Sequence, residues 1–103
     1  MRTLQSKAMY GNAVTINSFD FTIRYTGSIQ AYYGVSSSED TAPSSWTEIT
    51  GFSSGVEQTV TTSGGSDPWL FYKVVLGVGA TLATTKDVYG RMTAPAVRIR
   101  NIA

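Results

Sequence analysis

Apolar residues recur at every second position through most of the hydrophobic segments of this 103-residue chain. From Phe19 to Tyr25, large apolar side chains alternate with polar ones. A period of two is typical of a β-strand with one buried face, whereas an amphipathic helix requires a period near 3.6. The chain is therefore predicted to consist of strands. The predicted strands cover residues 14–25, 29–35, 46–50, 56–62, 69–76 and 97 to nearly 103.

The segment 69–76 differs from the others because it is apolar at both parities, with Lys73 as its one charged residue. This pattern is typical of a central strand that is covered on both faces. The short turn signal Thr26-Gly27-Ser28 predicts a hairpin between strands 14–25 and 29–35. The polar stretch 36–45 is predicted to be a surface loop, and the segment 80–92 is ambiguous, with features of successive turns.

The spacing of these strands predicts the fold class. Short strands every eight to twelve residues or so, with Gly or Pro turns between them, favour an all-β fold, a single antiparallel β-sandwich of about seven strands. The immunoglobulin-like, fibronectin-III-like and jelly-roll sandwiches all satisfy this pattern, and a small closed barrel is the alternative. The chain length allows one domain over residues 1–103, with room for an N-terminal arm over residues 1–12.

One inward parity per strand predicts the residues of the hydrophobic core. They are Phe21, Ile23, Tyr33, Val35, Trp46, Leu70, Tyr72, Val74, Val97 and Ile99.

The absence of cysteine and histidine removes most catalytic and metal-binding chemistry. Thiol nucleophiles, imidazole bases and thiolate or imidazole zinc sites are excluded. The seven Asp and Glu residues show no motif for paired acid catalysis, and Glu39-Asp40 lacks the spaced ligand pattern of a calcium loop. Gly77-x-Gly79 follows a strand but lacks the third glycine and the helix of a dinucleotide site. We therefore expect no enzymatic activity, no cofactor and no metal.

The balance of charge limits the partners. A formal net charge of +1 provides no basic stripe for phosphates, so we expect no nucleic-acid binding. No segment approaches the roughly 20 apolar residues of a membrane helix, and Met1 to Tyr10 lacks the apolar core of a secretory signal. We expect a protein that is made in a cytoplasm and does not bind a membrane.

Aromatic residues near strand ends and loop rims are the candidate interface or ligand residues. Such side chains anchor protein interfaces and stack on sugar rings, although core packing is the favoured interpretation of Trp46 and Trp69. Arg98 and Arg100 share a face of the last strand and are predicted to pair with Glu48 or Glu57. The candidate aromatic residues are Tyr10, Tyr32, Trp46, Phe52, Trp69 and Tyr89.

The run Tyr32-Tyr33-Gly34-Val35-Ser36-Ser37-Ser38, followed by Thr41-Ala42-Pro43-Ser44-Ser45-Trp46, resembles the β-sandwich modules of bacteriophage tail-fibre, tail-tip and head-decoration proteins. The segments 69–76 and 97–102 are similar to the last two strands of a fibronectin-III-like or immunoglobulin-like sandwich.

This resemblance implies a virion structural protein: a capsid decoration, a head fibre or a small tail component. The implied partners are further copies of the chain, with a trimer as the first expectation, and a larger capsid or tail protein. The alternative is a carbohydrate-binding module of galactose-binding-like or discoidin-like type, for which a surface glycan would be the ligand.

Because every strong periodicity is two, fewer than roughly a tenth of the residues should be helical. Far-ultraviolet circular dichroism of the purified chain should therefore lack the pair of helical minima. A spectrum dominated by those minima would contradict the all-β prediction.

Overall fold

The computed structural model describes residues 2–5, 9–10, 16, 18–62, 68–82, 85–86, 92–93 and 96–99. Within these residues every regular element is a strand, and all strand pairs are antiparallel. The strands are β1 (Arg2–Gln5), β2 (Met9–Tyr10), β3 (Ser18–Thr22), β4 (Tyr25–Thr26), β5 (Ile29–Ser36), β6 (Thr47–Ile49), β7 (Gln58–Thr61), β8 (Trp69–Leu76), β9 (Thr81–Leu82), β10 (Thr85–Lys86), β11 (Met92–Thr93) and β12 (Ala96–Ile99).

The largest sheet has the strand order β1-β8-β5-β6, and β2 pairs with the same edge of β8 as β1. β8 and β5 are in register over eight residue pairs, from Ile29 opposite Leu76 to Ser36 opposite Trp69. The predicted central strand 69–76 is therefore confirmed. The N-terminal residues 1–12, for which the sequence leaves room as an arm, contribute β1 and β2 to this sheet.

A three-stranded sheet has the order β12-β3-β7, and two small ribbons pair β4 with β9 and β10 with β11. β7 and β12 lie inside the predicted segments or within one residue of them. The described part of the ambiguous segment 80–92 contains β9, β10 and the start of β11.

The predicted hairpin between strands 14–25 and 29–35 is wrong. β3 ends at Thr22, and Tyr25–Thr26 pairs with Thr81–Leu82 instead of with β5. Gly27 has a φ of +84°, and a Cβ at this position would lie 2.8 Å from the Cα of Ala80. This close approach, together with the bond from the Gly77 amide to the Ser28 carbonyl (2.9 Å), attaches the turn to the β8–β9 connection. The chain consequently crosses from one sheet to another at this turn.

The buried core draws residues from both larger sheets. Five of the predicted core residues are buried, namely Phe21, Ile23, Tyr33, Leu70 and Val74. Val35 and Tyr72 are half-buried against the core, and the side chains of Val97 and Ile99 lie outside the described set. The sequence prediction missed Ile16, Phe19, Ala31, Ile49 and Leu76, which are at most 2% exposed.

Aromatic rings of β3 contact rings of the five-stranded sheet across this core. The centroids of Phe19 and Tyr33 are 5.4 Å apart with an interplanar angle of 68°, and those of Phe21 and Tyr72 are 6.3 Å apart at 71°. These are edge-to-face contacts, the arrangement that the ring quadrupoles favour. Burial also raises the pKa of the Tyr72 phenol above its ordinary value of 10.0.

Val74 is fully buried in β8, so truncating it should leave a cavity between the sheets. We expect Val74→Ala to lower the free energy of unfolding by about 1–3 kcal/mol. Chemical denaturation measures this, and Val78→Ala is the matched control because Val78 is 94% exposed. An unchanged midpoint for Val74→Ala would show that this face of β8 does not bear the core.

Candidate functional site

Four of the six candidate aromatic residues lie in or beside the five-stranded sheet, and the side chains of three of them are described. Tyr32 and Trp69 belong to β5 and β8, and Trp46 directly precedes β6. All three are half-buried, and none is among the residues that form or pack against the core. The interpretation of Trp46 and Trp69 as core residues is therefore wrong.

The remaining candidates are Phe52, Tyr10 and Tyr89. Phe52 is half-buried and packs against the core, with its ring centroid 6.2 Å from that of Phe21 and 5.8 Å from that of Tyr25. Tyr10 stands opposite Trp69 in the β2–β8 register, although its side chain is outside the described set. Tyr89 lies outside the described residues.

The strand register defines which side chains share the face of the sheet turned away from the core. Ala31 and Tyr33 are buried in the core, so the intervening Tyr32 lies on the opposite face. Tyr32 is directly opposite Lys73 on one side and Glu48 on the other. Directly opposite residues of antiparallel strands share a face. We call this surface the outer face; its described members include Gln30, Tyr32, Trp46, Glu48, Lys73 and Val75.

The ammonium group of Lys73 is the centre of the outer face. Its Nζ lies 4.5 Å from the ring centroid of Trp46 and 5.1 Å from that of Tyr32. Each cation–π contact of this kind contributes about 0.5–2 kcal/mol, depending on how far it is desolvated. No ion pair or hydrogen bond of the Lys73 ammonium is found among the described residues.

The loop before Trp46 is folded back over the sheet. The Ser36 hydroxyl donates to the Thr41 carbonyl (2.7 Å) and accepts from the Ser38 amide (3.2 Å). Pro43 is buried over Gly34, where an added Cβ would lie 2.7 Å from the proline ring. Because Gly34 has no side chain, the predicted loop 36–45 can pack closely on β5. This packing places Trp46 beside Lys73.

A cavity of about 160 Å³ lies on the outer face, beside Tyr32 and Lys73. Its lining includes Gln30 and Val75, which are cross-strand partners one step along the outer face from Tyr32 and Lys73. Ligand pockets for drug-sized molecules measure about 300–1,000 Å³. This cavity therefore suits one small group, and its remaining lining residues are Ser28, Ile29 and Gly77.

The buried carboxylate of Asp20 belongs to the three-stranded sheet, away from the outer face. Asp20 is 3% exposed and its Oδ1 accepts a hydrogen bond from the Thr59 hydroxyl (2.9 Å). Its register partner on β12 is Arg98. The predicted cross-strand pairing of Arg98 with Glu48 or Glu57 is therefore wrong, because the strand found beside β12 is β3; the side chain of Arg98 lies outside the described set. Arg100 lies outside the described residues.

Two further observations concern chemistry. No group of three or more His, Cys, Asp or Glu side chains within the described ranges is arranged to hold a metal ion. On the inner side of β7, the Gln58 amide donates to the Thr50 carbonyl (2.9 Å), while its buried Oε1 has no hydrogen-bond partner among the described residues.

The chain matches no protein-family model, and neither a curated protein nor a solved structure is similar to it at a significant level. Within the described part of the chain, no helix has the length and apolarity needed to cross a membrane.

Gly34→Ala tests how Trp46 is positioned. The added methyl group would meet Pro43 and, at 2.9 Å, the Ser45 carbonyl, so the loop must shift. We expect a loss of about 1–3 kcal/mol in unfolding free energy, as for other overpacking changes. Trp46 fluorescence should also change, because its contact with Lys73 is displaced. Ser37→Ala, at an exposed position of the same loop, should change neither quantity.

Proposed function

We propose that this chain is a non-enzymatic structural subunit of a bacteriophage virion that acts by protein–protein docking, as a capsid decoration, head fibre or small tail component. The virion assignment derives from the resemblance of residues 32–46. The docking assignment derives from the structure of one sheet edge. We also propose that the five-stranded and three-stranded sheets are the two layers of a β-sandwich, which the ring contacts of Phe19 and Phe21 support.

The docking proposal rests on β7, an edge strand that contains neither charge nor proline. This strand is the last of its sheet, and no described residue pairs with its outer side. Its sequence Gln58-Thr59-Val60-Thr61 contains no charge and no proline. Edge strands of monomeric proteins are usually protected from pairing by lysine, proline or bulges. An uncharged edge rich in threonine and valine instead favours pairing with another strand.

The occupant that we propose for this edge is a second copy of the chain. Pairing between copies satisfies the free backbone groups of β7 and brings no like charges together. Pairing of β7 with β7 about a twofold axis would close a dimer, whereas a trimer requires β7 to pair with a different edge of the next copy. β6, the exposed end strand of the other sheet, provides such an edge. The trimer remains the proposed state, in accordance with the resemblance.

Light scattering on the purified chain tests self-association. We expect an oligomer, and we expect Thr61→Lys to convert it to a monomer, because a lysine at this exposed edge position disfavours strand pairing. Val78→Lys adds the same charge at the β8–β9 turn and should leave the oligomer intact.

Circular dichroism must show that both variants keep the strand content of the parent chain. A chain that is monomeric at all accessible concentrations, or an oligomer that Thr61→Lys leaves unchanged, would contradict docking through β7. Mixing the chain with purified capsid and tail proteins tests the virion assignment separately. A chain that associates with neither would refute it.

A further inference from the structure

We propose that the outer face of the five-stranded sheet is a saccharide-binding site, with Trp46 and Tyr32 as the stacking rings and Lys73 as a hydrogen-bond donor. The site uses side chains on the outer face, whereas docking uses the backbone edges of β7 and β6, so the proposal goes beyond docking between copies of the chain. The ligand class is an oligosaccharide that presents a hexopyranose ring.

The first argument is the combination of side chains. The C–H face of a pyranose ring is apolar and stacks on aromatic rings, while its hydroxyl groups need donors and acceptors around that ring. Tyr32 and Trp46 provide half-buried rings that are not used in the core. Lys73 and Gln30 provide donors, and Glu48, exposed beside Tyr32, provides acceptors. A small number of polar groups that converge around an aromatic surface is typical of small-molecule sites.

The second argument is the state of Lys73. Lys73 is a half-buried residue of a central strand, where a lysine normally obtains a carboxylate or carbonyl partner for its ammonium group. Here the rings of Trp46 and Tyr32 hold the ammonium group in place, and no hydrogen bond or ion pair to it is found within the described ranges. An ammonium group that is held by two rings and has no ion pair among the described residues can donate to sugar oxygens without first breaking one.

The third argument separates a saccharide from a protein partner. The centres of protein interfaces are depleted of charge. The outer face instead carries the charges of Lys73 and Glu48. The two large hydrophobic residues that are exposed in the described chain, Val56 and Val78, are not among its members. The charges of Lys73 and Glu48 cancel, which suits an uncharged sugar.

The cavity indicates the direction in which a longer ligand would extend from the rings of Trp46 and Tyr32. Gln30 is paired with Val75, and two residues further along the same strands Tyr32 is paired with Lys73. Same-face neighbours along a strand are about 6.5–7 Å apart. One sugar ring over Trp46 and Tyr32 would therefore have its neighbour within reach of the cavity. We infer that the ligand is at least a disaccharide.

The probe is a glycan array of neutral hexose, N-acetylhexosamine and hexuronic acid oligosaccharides, followed by titration with the best ligand. We expect binding to neutral hexose or N-acetylhexosamine chains. Trp46→Ala and Lys73→Met should each weaken it about tenfold or more, the effect of losing a stacked ring or a charged donor. Lys73→Arg should retain more affinity than Lys73→Met, because it keeps the cation and its donors. Val56→Ser, at an exposed position away from the outer face, should leave affinity within about twofold.

Tryptophan fluorescence provides a readout of stacking, because the chain has only two tryptophans. In the Trp69→Phe variant the remaining tryptophan is Trp46, and its emission should shift when the oligosaccharide is added. In the Trp46→Phe variant the remaining Trp69 should not respond.

Two results would overturn the saccharide site. One is a folded protein that binds no oligosaccharide at millimolar concentration, including the case in which a capsid or tail protein binds through Trp46 instead. The other is binding that Trp46→Ala and Lys73→Met leave unchanged. The Thr61→Lys variant separates this proposal from self-association, because it should lose the oligomer and retain the affinity of each site for the oligosaccharide.

Discussion

The two phenylalanines of β3 provide the contacts on which the rest of the described structure depends. Phe19 and Phe21 are at most 1% exposed, and their rings meet Tyr33 and Tyr72 of the five-stranded sheet edge to face. Phe21 also contacts Phe52, which belongs to the connection between β6 and β7. Three segments of the chain are therefore fixed against one strand. Because the chain has no cysteine and therefore no disulfide, a domain of this size depends on such aromatic burial for much of its stability.

This packing determines what each face of the five-stranded sheet can do. Because Tyr33 and Tyr72 must meet β3, their neighbours Tyr32 and Lys73 are turned to the outer face. A register shift of one residue would exchange these two sets and bring Lys73 into the core. The register that buries the core is therefore the same register that brings Tyr32, Lys73 and Glu48 side by side. The core and the candidate site have a single structural origin.

The sequence predicted the elements whose pattern is local and missed those that depend on partners. The alternation around Phe21 and the apolar run 69–76 identified strands and much of the core, because side-chain parity is a local property. The pairing of Tyr25–Thr26 with β9 depends on the contact between Gly27 and Ala80, which lie far apart in the chain. The position of Trp46 depends similarly on Pro43 packing over Gly34. Loop packing of this kind has no periodic signal, so core packing was the reasonable prediction for Trp46.

One feature of the sequence points to Lys73 as a residue of the candidate site. It is the one charged residue in an otherwise apolar central strand, where a lysine is costly unless its ammonium group has favourable surroundings. Two aromatic rings at 4.5 and 5.1 Å provide those surroundings and keep the charge on a half-buried surface. A neutral residue would fill the same place in the strand without this cost. A charge held in this position, with no ion pair among the described residues, is consistent with the saccharide ligand that we propose, because the stability of the sheet alone does not require it.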